Sequence, residues 1–261
     1  MNKFVLPWKD DYGKKFLASE SEEGGSYAIV YPALKKFRLL QEGMSLLSIG
    51  GGSGRLEVQV ALDYKAKIGF VDPSTNLYGS FWSRVRKANI VNQIQEKFLG
   101  SFQEFESKYS YDLIISIHSW YFIGCDKELL DKALGLMARD GKLLIALCSA
   151  SDWSIPLKRC LQNNVFSEGQ NTFTLEDLSE WTRGLNYRYE ILEISSETPL
   201  EQFIVNGEFT DYAKSRLAYH RRKEWSEFGS DLQTRCKMMI LEKEKNGILH
   251  DQWGGLLFQQ Q

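Results

Sequence analysis

The sequence has no apolar run approaching the ~18 residues that a membrane-crossing helix needs. Its opening stretch, MNKFVLPWKDD, reaches charge too early for a secretory signal peptide. Both absences point to a soluble, unexported chain, and a cytoplasmic location is expected. Cysteine is scarce: Cys125, Cys148, Cys160 and Cys236 stand apart, with no CxxC pair and no regular spacing. This argues against a disulfide framework and reads as reduced thiols. His220 and His250 add no metal-ligand spacing, so no metal is expected. Charge of one sign is lacking too. With 32 basic and 34 acidic residues the formal net charge is −2, and no long basic run stands out, which disfavours a nucleic-acid partner. Repeats are absent, low complexity is confined to the terminal QQQ, and no linker-like stretch divides the chain.

What remains is an ordinary globular composition, with 43% hydrophobic and 25% charged residues, enough for a sizeable core in one domain. Aromatic residues reach 13%; most pack in the core and on the surface, and an excess of them can also line a pocket for a flat or cationic ligand. Residues 1–43 read as a polar and aromatic helical prologue, 44–196 as the core, and 197–261 as a charged helical addition with a last strand. From Ser45 onward the pattern is strand, glycine turn, helix, strand, the signature of α/β winding. Leu46–Ile49 is a short apolar strand, and Leu56, Val60 and Tyr64 mark the inner face of the helix that follows. Lys67–Val71 is a second strand ending at Asp72-Pro73. A helix over 75–89 leads to a weak strand near Gln93–Phe98. YDLIISIH, from Tyr111 to His118, reads as a strand buried on both faces. A helix is expected over 127–138, and Asp140-Gly141 turns the chain into strand Lys142–Cys148. Thr174 with Asp177 resembles a capping box, opening a helix with Leu175, Leu178 and Trp181 on one face. Tyr187–Ile194 is a further strand. Gly247–Phe258 is a candidate last strand, weakened by Gly254-Gly255. The expected fold is therefore a doubly wound, mostly parallel seven-stranded sheet, Rossmann-like, with helical additions at both ends.

The chemistry centres on the turn after the first strand. Gly50, Gly52 and Gly54 form GxGxG, where absent side chains let the backbone and a helix N-terminus approach a ligand. A dinucleotide fingerprint would need glycine or alanine at the position of Arg55, so a nicotinamide cofactor fails on spacing. GxGxG is the form used by S-adenosylmethionine enzymes of this architecture. Asp72 ends the next strand, where a carboxylate reaches the two hydroxyls of a ribose; capping the 75–89 helix is its plainer and compatible role. Asp112, opening the YDLI strand, and the DGKLLI segment complete the pattern.

The runs LLSIGGGSGRLEVQVA, FVDPS, IHSWYFIG and ALCSASDW are similar to those of histamine N-methyltransferases, within the class I S-adenosylmethionine-dependent methyltransferases. The likeness continues through TLEDLSEWTRGLNYRYEILE and EQFIVNGE, and weakly into ILHDQWGGLLF. It includes Ser48, where wider methyltransferases usually place an acid. The resemblance implies cofactor contacts from Gly50, Asp72, Ser101 and Ile117, with Leu77 in the place of a family glutamine. For the acceptor it implies an anchor at Glu22, His118 where the family has glutamine, and Gln252 where it has asparagine. Tyr121, Phe122, Trp153 and Phe203 would form aromatic walls, and Leu157 replaces a second tryptophan. Plainer roles stand beside these: a structural histidine at a strand end for His118, one solvated acid among Glu20 and Glu23 for Glu22, and a core cap for Trp153.

The expectation is a monomeric methyltransferase acting on a nitrogen of a small amine or imidazole-type metabolite, with no nucleic-acid or membrane partner. Glu22 would anchor a cationic arm, and His118 would orient the nucleophile or take its proton. An oxygen acceptor on the same fold, or a non-catalytic cofactor-binding protein, are the rivals. With a titrating His118 near the acceptor, histamine itself is expected to be poor and a zwitterionic amine better.

Overall fold

Short apolar strands alternate with amphipathic helices, and the sheet they build sets the strand ends side by side where a ligand can sit. The computed structural model describes residues 11–18, 26–162, 173–185, 187–221 and 225–259. The strands are β1 (Ser45–Ile49), β2 (Lys67–Asp72), β3 (Ile94–Leu99), β4 (Tyr111–Ile117), β5 (Met137–Cys148), β6 (Tyr189–Pro199) and β7 (Ile248–Gln259). They lie in the order β3-β2-β1-β4-β5-β7-β6, and the short strand Glu244–Lys245 pairs with the start of β7. The first five run parallel to their neighbours, while β7 is antiparallel to both β5 and β6. This is the doubly wound, mostly parallel architecture that the sequence pattern predicts.

Alternation along the strands divides the core. Leu46, Ile68, Phe70, Leu113 and Ile115 point to one face. There they meet Val30 and Leu34 of α2 (Ser26–Lys36), Leu56 and Val60 of α3 (Arg55–Tyr64), and Phe81 and Val85 of α4 (Thr75–Lys87). Leu47, Val71, Ile114 and Leu143 point the other way, against Leu130 and Ala133 of α5 (Lys127–Gly135) and Leu178 of α7 (Leu175–Arg183). A third cluster joins α6 (Ser154–Gln162), α8 (Asp211–Arg221) and α9 (Ser230–Lys243) around Leu161, Leu217, Ile240 and Phe203. The N-terminal helix α1 (Asp11–Ala18) packs on α4 and α8. No described helix is long and apolar enough to cross a membrane.

Local signals hold where they are chemically specific. Thr174 and Asp177 form the capping box: Thr174 N donates to Asp177 Oδ2 at 2.8 Å, and Asp177 N returns to Thr174 Oγ1 at 3.4 Å. Asp112 proves to be a tie between strands, accepting from Ser45 N and Oγ, each at 2.7 Å. Three boundaries differ from expectation. The fifth helix stops at Gly135, because Met137 pairs with Tyr111 and already belongs to β5. Asp140-Gly141 is therefore not a turn before the strand but an irregularity within it. Asp140 has φ +66°, and a Cβ on Gly141 would lie 2.7 Å from the Tyr111 carbonyl oxygen. β6 continues past Ile194 to Pro199 because it pairs with β7 along its whole length.

Candidate functional site

The carboxyl ends of β1, β2, β4 and β5 open into one cavity, the place where doubly wound sheets bind ligands. Its volume of about 350 Å³ lies within the range typical of small-molecule sites. At one end stands the glycine turn. Gly50 (φ +69°) and Gly52 (φ +61°) line the cavity in left-handed conformations. A Cβ on Gly50 would come within 2.4 Å of the Ser119 Cβ, and Ser119 is fixed by its hydroxyl donating to the Ile49 carbonyl at 2.7 Å. Gly54 serves differently. It does not line the cavity, and its missing Cβ leaves room for Phe81, which would otherwise lie at 2.3 Å. Its role is to seat α3 against α4, a correction to its assignment as a ligand contact. Beneath the turn, Ser48 Oγ donates to the buried Glu57 at 2.6 Å. A carboxylate absent from β1 is thus supplied by α3, a residue the sequence pattern did not single out.

Asp72 ends β2 with 4% of its surface exposed. Its Oδ2 accepts from Gly52 N at 2.9 Å and its Oδ1 from Ser74 N at 2.8 Å. Burial pushes its carboxyl up to about 7, against the pull of those two amides. Helix α4 is capped by the Ser74 hydroxyl rather than by Asp72. Each Asp72 oxygen keeps a further acceptor position, which fits a pair of neighbouring hydroxyls. Leu77, Ser101 and Ile117 line the same cavity, and the Ser101 hydroxyl donates to Glu104 at 2.8 Å. Phe16 of α1 also lines it, beside Gly52.

Tyr121 and Phe122, in a 3-10 turn after β4, pack with ring centroids 4.4 Å apart. Trp153 meets Phe203 edge-on at 5.0 Å, and Phe203 meets Tyr212 at 5.4 Å. All five line the cavity. Trp153 Nε1 donates to Asp251 Oδ1 at 2.8 Å, while Ser196 and Thr198 hydroxyls occupy Oδ2 at 2.9 and 2.6 Å. The pocket role of Trp153 and its core role thus coincide.

His118 stands at the end of β4 with φ +50° and its ring edge-on to Trp253 at 4.0 Å. Its Nδ1 lies 4.0 Å from Cys148 Sγ, and its Nε2 is shut off from solvent without a hydrogen-bond partner among the described residues. Burial, followed by the charges of Lys158 and Arg216, holds its pKa well below the ordinary imidazole value. The expectation of a titrating, part-time cationic His118 is therefore corrected: the ring is neutral at physiological pH. The Cys148 thiol is pushed up by burial and receives a hydrogen bond from Lys158 Nζ at 3.1 Å.

Gln252 is a third correction. Alternation along β7 turns Asp251 and Trp253 to the cavity and leaves the Gln252 side chain exposed. Its backbone N–H is what matters locally, donating to Asp152 Oδ2 at 2.8 Å. Leu157 is buried in the α6–α8–α9 cluster, outside the cavity lining. Glu22 lies outside the described residues. Sequence reasoning missed Lys158, Tyr212, Arg216 and Asp251, all of which line the cavity. Their only local signals were the one-turn spacing of Tyr212 and Arg216 and the alternation around Asp251. Among the described residues no group of His, Cys, Asp and Glu could hold a metal ion.

A family described as a methyltransferase domain matches residues 27–191. No curated protein matches the chain. Solved structures share its fold at low identity. An S-adenosylmethionine-dependent methyltransferase from Geobacter sulfurreducens, in complex with S-adenosyl-L-homocysteine, is 14% identical with TM-score 0.59, covering 95% of this chain and 98% of that one. A phosphoethanolamine N-methyltransferase 2 from Haemonchus contortus, bound to phosphomonomethylethanolamine and S-adenosylhomocysteine, is 17% identical with TM-score 0.59, covering 98% of this chain and 60% of that one. A coclaurine N-methyltransferase bound to N-methylheliamine and S-adenosylhomocysteine is 17% identical with TM-score 0.51, covering 88% and 72%.

Proposed function

The chain belongs to the methyltransferase-domain family, and from that premise we propose that it methylates a nitrogen of a small amine or imidazole-type acceptor. S-adenosylmethionine is the cofactor and supplies a methyl group already activated on a sulfonium. The glycine turn and Asp72 fit that cofactor: Gly50 and Gly52 allow close backbone approach, and Asp72 has acceptor capacity left for ribose hydroxyls. The protein then need not supply a nucleophile; its task is to align acceptor and methyl.

The observation that carries the choice of nitrogen is the aromatic enclosure of Tyr121, Phe122, Trp153, Phe203, Tyr212 and Trp253. Methylating a neutral amine moves the positive charge from sulfur to nitrogen and keeps it, and ring faces favour a retained cation. Methylating an oxyanion annihilates that charge and gains nothing from the rings. His118, held neutral, adds no competing positive charge beside the nitrogen and is a weak base for deprotonating a hydroxyl. We assign it the orienting role.

The likeness to histamine N-methyltransferases belongs to this proposal, and so do the anchor at Glu22, the single-domain organisation, the monomeric state and the cytoplasmic location. Two of the structural neighbours are N-methyltransferases by name, in keeping with the reading. The test is a labelled-methyl transfer screen over biogenic amines, imidazoles, phenols and carboxylates, with fragmentation of the products. Label on nitrogen is the expected result. Label found only on oxygen would replace this reading with small-molecule O-methylation.

A further inference from the structure

The cavity holds two cations that the methyl-transfer reading does not use. Lys158 lies on α6, one turn beyond Ser154, and both line the cavity. Leu157 and Leu161, buried on the adjoining flank of that helix, fix which face Lys158 presents. Arg216 lies on α8, one turn beyond Tyr212, and this pair lines the cavity too, held by the buried Ala213 and Leu217. Helix α6 packs on α8, so two cations carried by separate elements face one space. Asp72 ends β2, three places from β5 in the sheet, so the cations stand beside the aromatic walls and away from the ribose carboxylate.

Neither cation has an anionic partner among the described residues. Lys158 donates to a thiol, Cys148 Sγ at 3.1 Å, and burial holds that thiol in its neutral form. The carboxylates nearby are spoken for. Asp152 Oδ1 accepts from Ser154 N at 2.9 Å and from its hydroxyl at 2.5 Å, and Oδ2 from Gln252 N at 2.8 Å. Asp251 is filled by Trp153, Ser196 and Thr198. Glu197 lines the cavity but is largely exposed and stands 3.9 Å from His250. His118 brings no charge. Asp152 feels the Lys158 charge although its oxygens are already filled, and Arg216 has no carboxylate at ion-pair distance among the described residues. The positive charge of the pair is therefore only partly offset, and an anionic ligand can complete it. A guanidinium offers a fork that matches an oxyanion in two contacts, and an ammonium adds a point charge.

We propose that Lys158 and Arg216 form a subsite for an oxyanion, a carboxylate or a phosphate, carried by the methyl acceptor. The acceptor is then a small amine with an anionic arm: the nitrogen sits among the aromatic rings and the arm reaches the α6–α8 cations. This rests on the methyltransferase reading of the same cavity. It also relocates the selectivity against histamine, which bears no anionic group, from His118 to these two residues.

The test is calorimetric titration of the protein saturated with S-adenosylhomocysteine against matched pairs: sarcosine and sarcosinamide, phosphoethanolamine and ethanolamine. Acetate and inorganic phosphate serve as bare probes. In the wild type the anionic member of at least one pair is expected to bind about ten-fold tighter or more than its neutral partner. The preferred pair distinguishes carboxylate from phosphate. The preference is expected to vanish in the Lys158→Met, Arg216→Gln double variant and to survive largely in Lys158→Arg, while S-adenosylhomocysteine affinity stays within about two-fold in each. Equal binding of both members, no saturable binding of any anion, or a preference that persists in the double variant would overturn the subsite. Because the wild-type comparison needs no substitution, misfolding of a variant does not rescue the idea. Failure of the wild type to bind S-adenosylhomocysteine would overturn the methyltransferase reading and the subsite with it, whereas retained cofactor binding without anion preference overturns the subsite alone.

Discussion

Asp72 joins fold and chemistry in one side chain. Burial raises its pKa to about 7, above the ordinary carboxylate value it has in the unfolded chain. The folded protein therefore holds a proton that the unfolded chain has released. The stability this contributes is fully present at acid pH and is lost as pH rises towards 7. The ligand-free Asp72→Asn variant is expected to lose that decline, which melting temperatures at pH 5 and pH 7.5 would reveal. On the proposed reading, ribose hydroxyls that donate to the carboxylate would favour its ionised form, so cofactor affinity is expected to have the opposite slope. S-adenosylhomocysteine is expected to bind about ten-fold more weakly at pH 6 than at pH 8, and the slope should flatten in Asp72→Asn. A pH-independent affinity in the wild type would show that Asp72 is not the group that meets the ribose. The aromatic residues answer to a different measurement. Phe122→Ala and Trp153→Phe should raise the acceptor KM about ten-fold or more while cofactor affinity stays nearly constant. Equal loss of both would mark these side chains as packing alone.

Among the elements, glycine carries the sharpest positional meaning. Gly52→Val forces a β-branched residue into φ +61° at the cavity wall and should abolish S-adenosylhomocysteine binding. The Gly254-Gly255 pair weakens the expected last strand when read as propensity, and the strand forms as β7 all the same. A Cβ on Gly254 would lie 2.3 Å from Leu175 Cδ2, and one on Gly255 would lie 2.4 Å from Leu144 Cδ1. The pair is thus the condition for the neighbouring side chains to close over the strand. Gly254→Val is expected to destabilise the protein by about 1–3 kcal/mol, measured by denaturant unfolding. At this scale the sequence was legible wherever a signal was local and chemical: the glycine turn, the Thr174 capping box, the apolar run of β4. It was illegible where pairing decided. Met137 is as good a helix residue as a strand residue until Tyr111 lies beside it, and the polar run Ser195–Thr198 becomes strand only against β7.

Taken as a whole, the molecule brings the two ends of its site from different parts of the sequence. The proposed cofactor end comes largely from β1, β2 and their turns, contiguous enough for Gly50, Gly52 and Asp72 to be picked out by spacing, whereas Ile117, at the end of β4, is reached only through the family resemblance. The proposed acceptor end is assembled from β5, α6, α8 and β7, joined only when the last strand inserts between β5 and β6. Trp153 and Asp251, 98 residues apart, hydrogen-bond across that insertion. This is why the sequence carries only faint local signals for Lys158, Arg216 and Asp251, and why Asp251, not Gln252, is the residue that faces the cavity. The central claim is that the glycine turn and Asp72 hold S-adenosylmethionine, and it is tested most directly by titrating S-adenosylhomocysteine into the wild type and Asp72→Ala at pH 8. The account predicts clear binding by the wild type and a loss of about 1–3 kcal/mol in the variant, roughly ten-fold to a hundred-fold in Kd. Equal affinity in a folded Asp72→Ala protein, or no binding by the wild type, would contradict it.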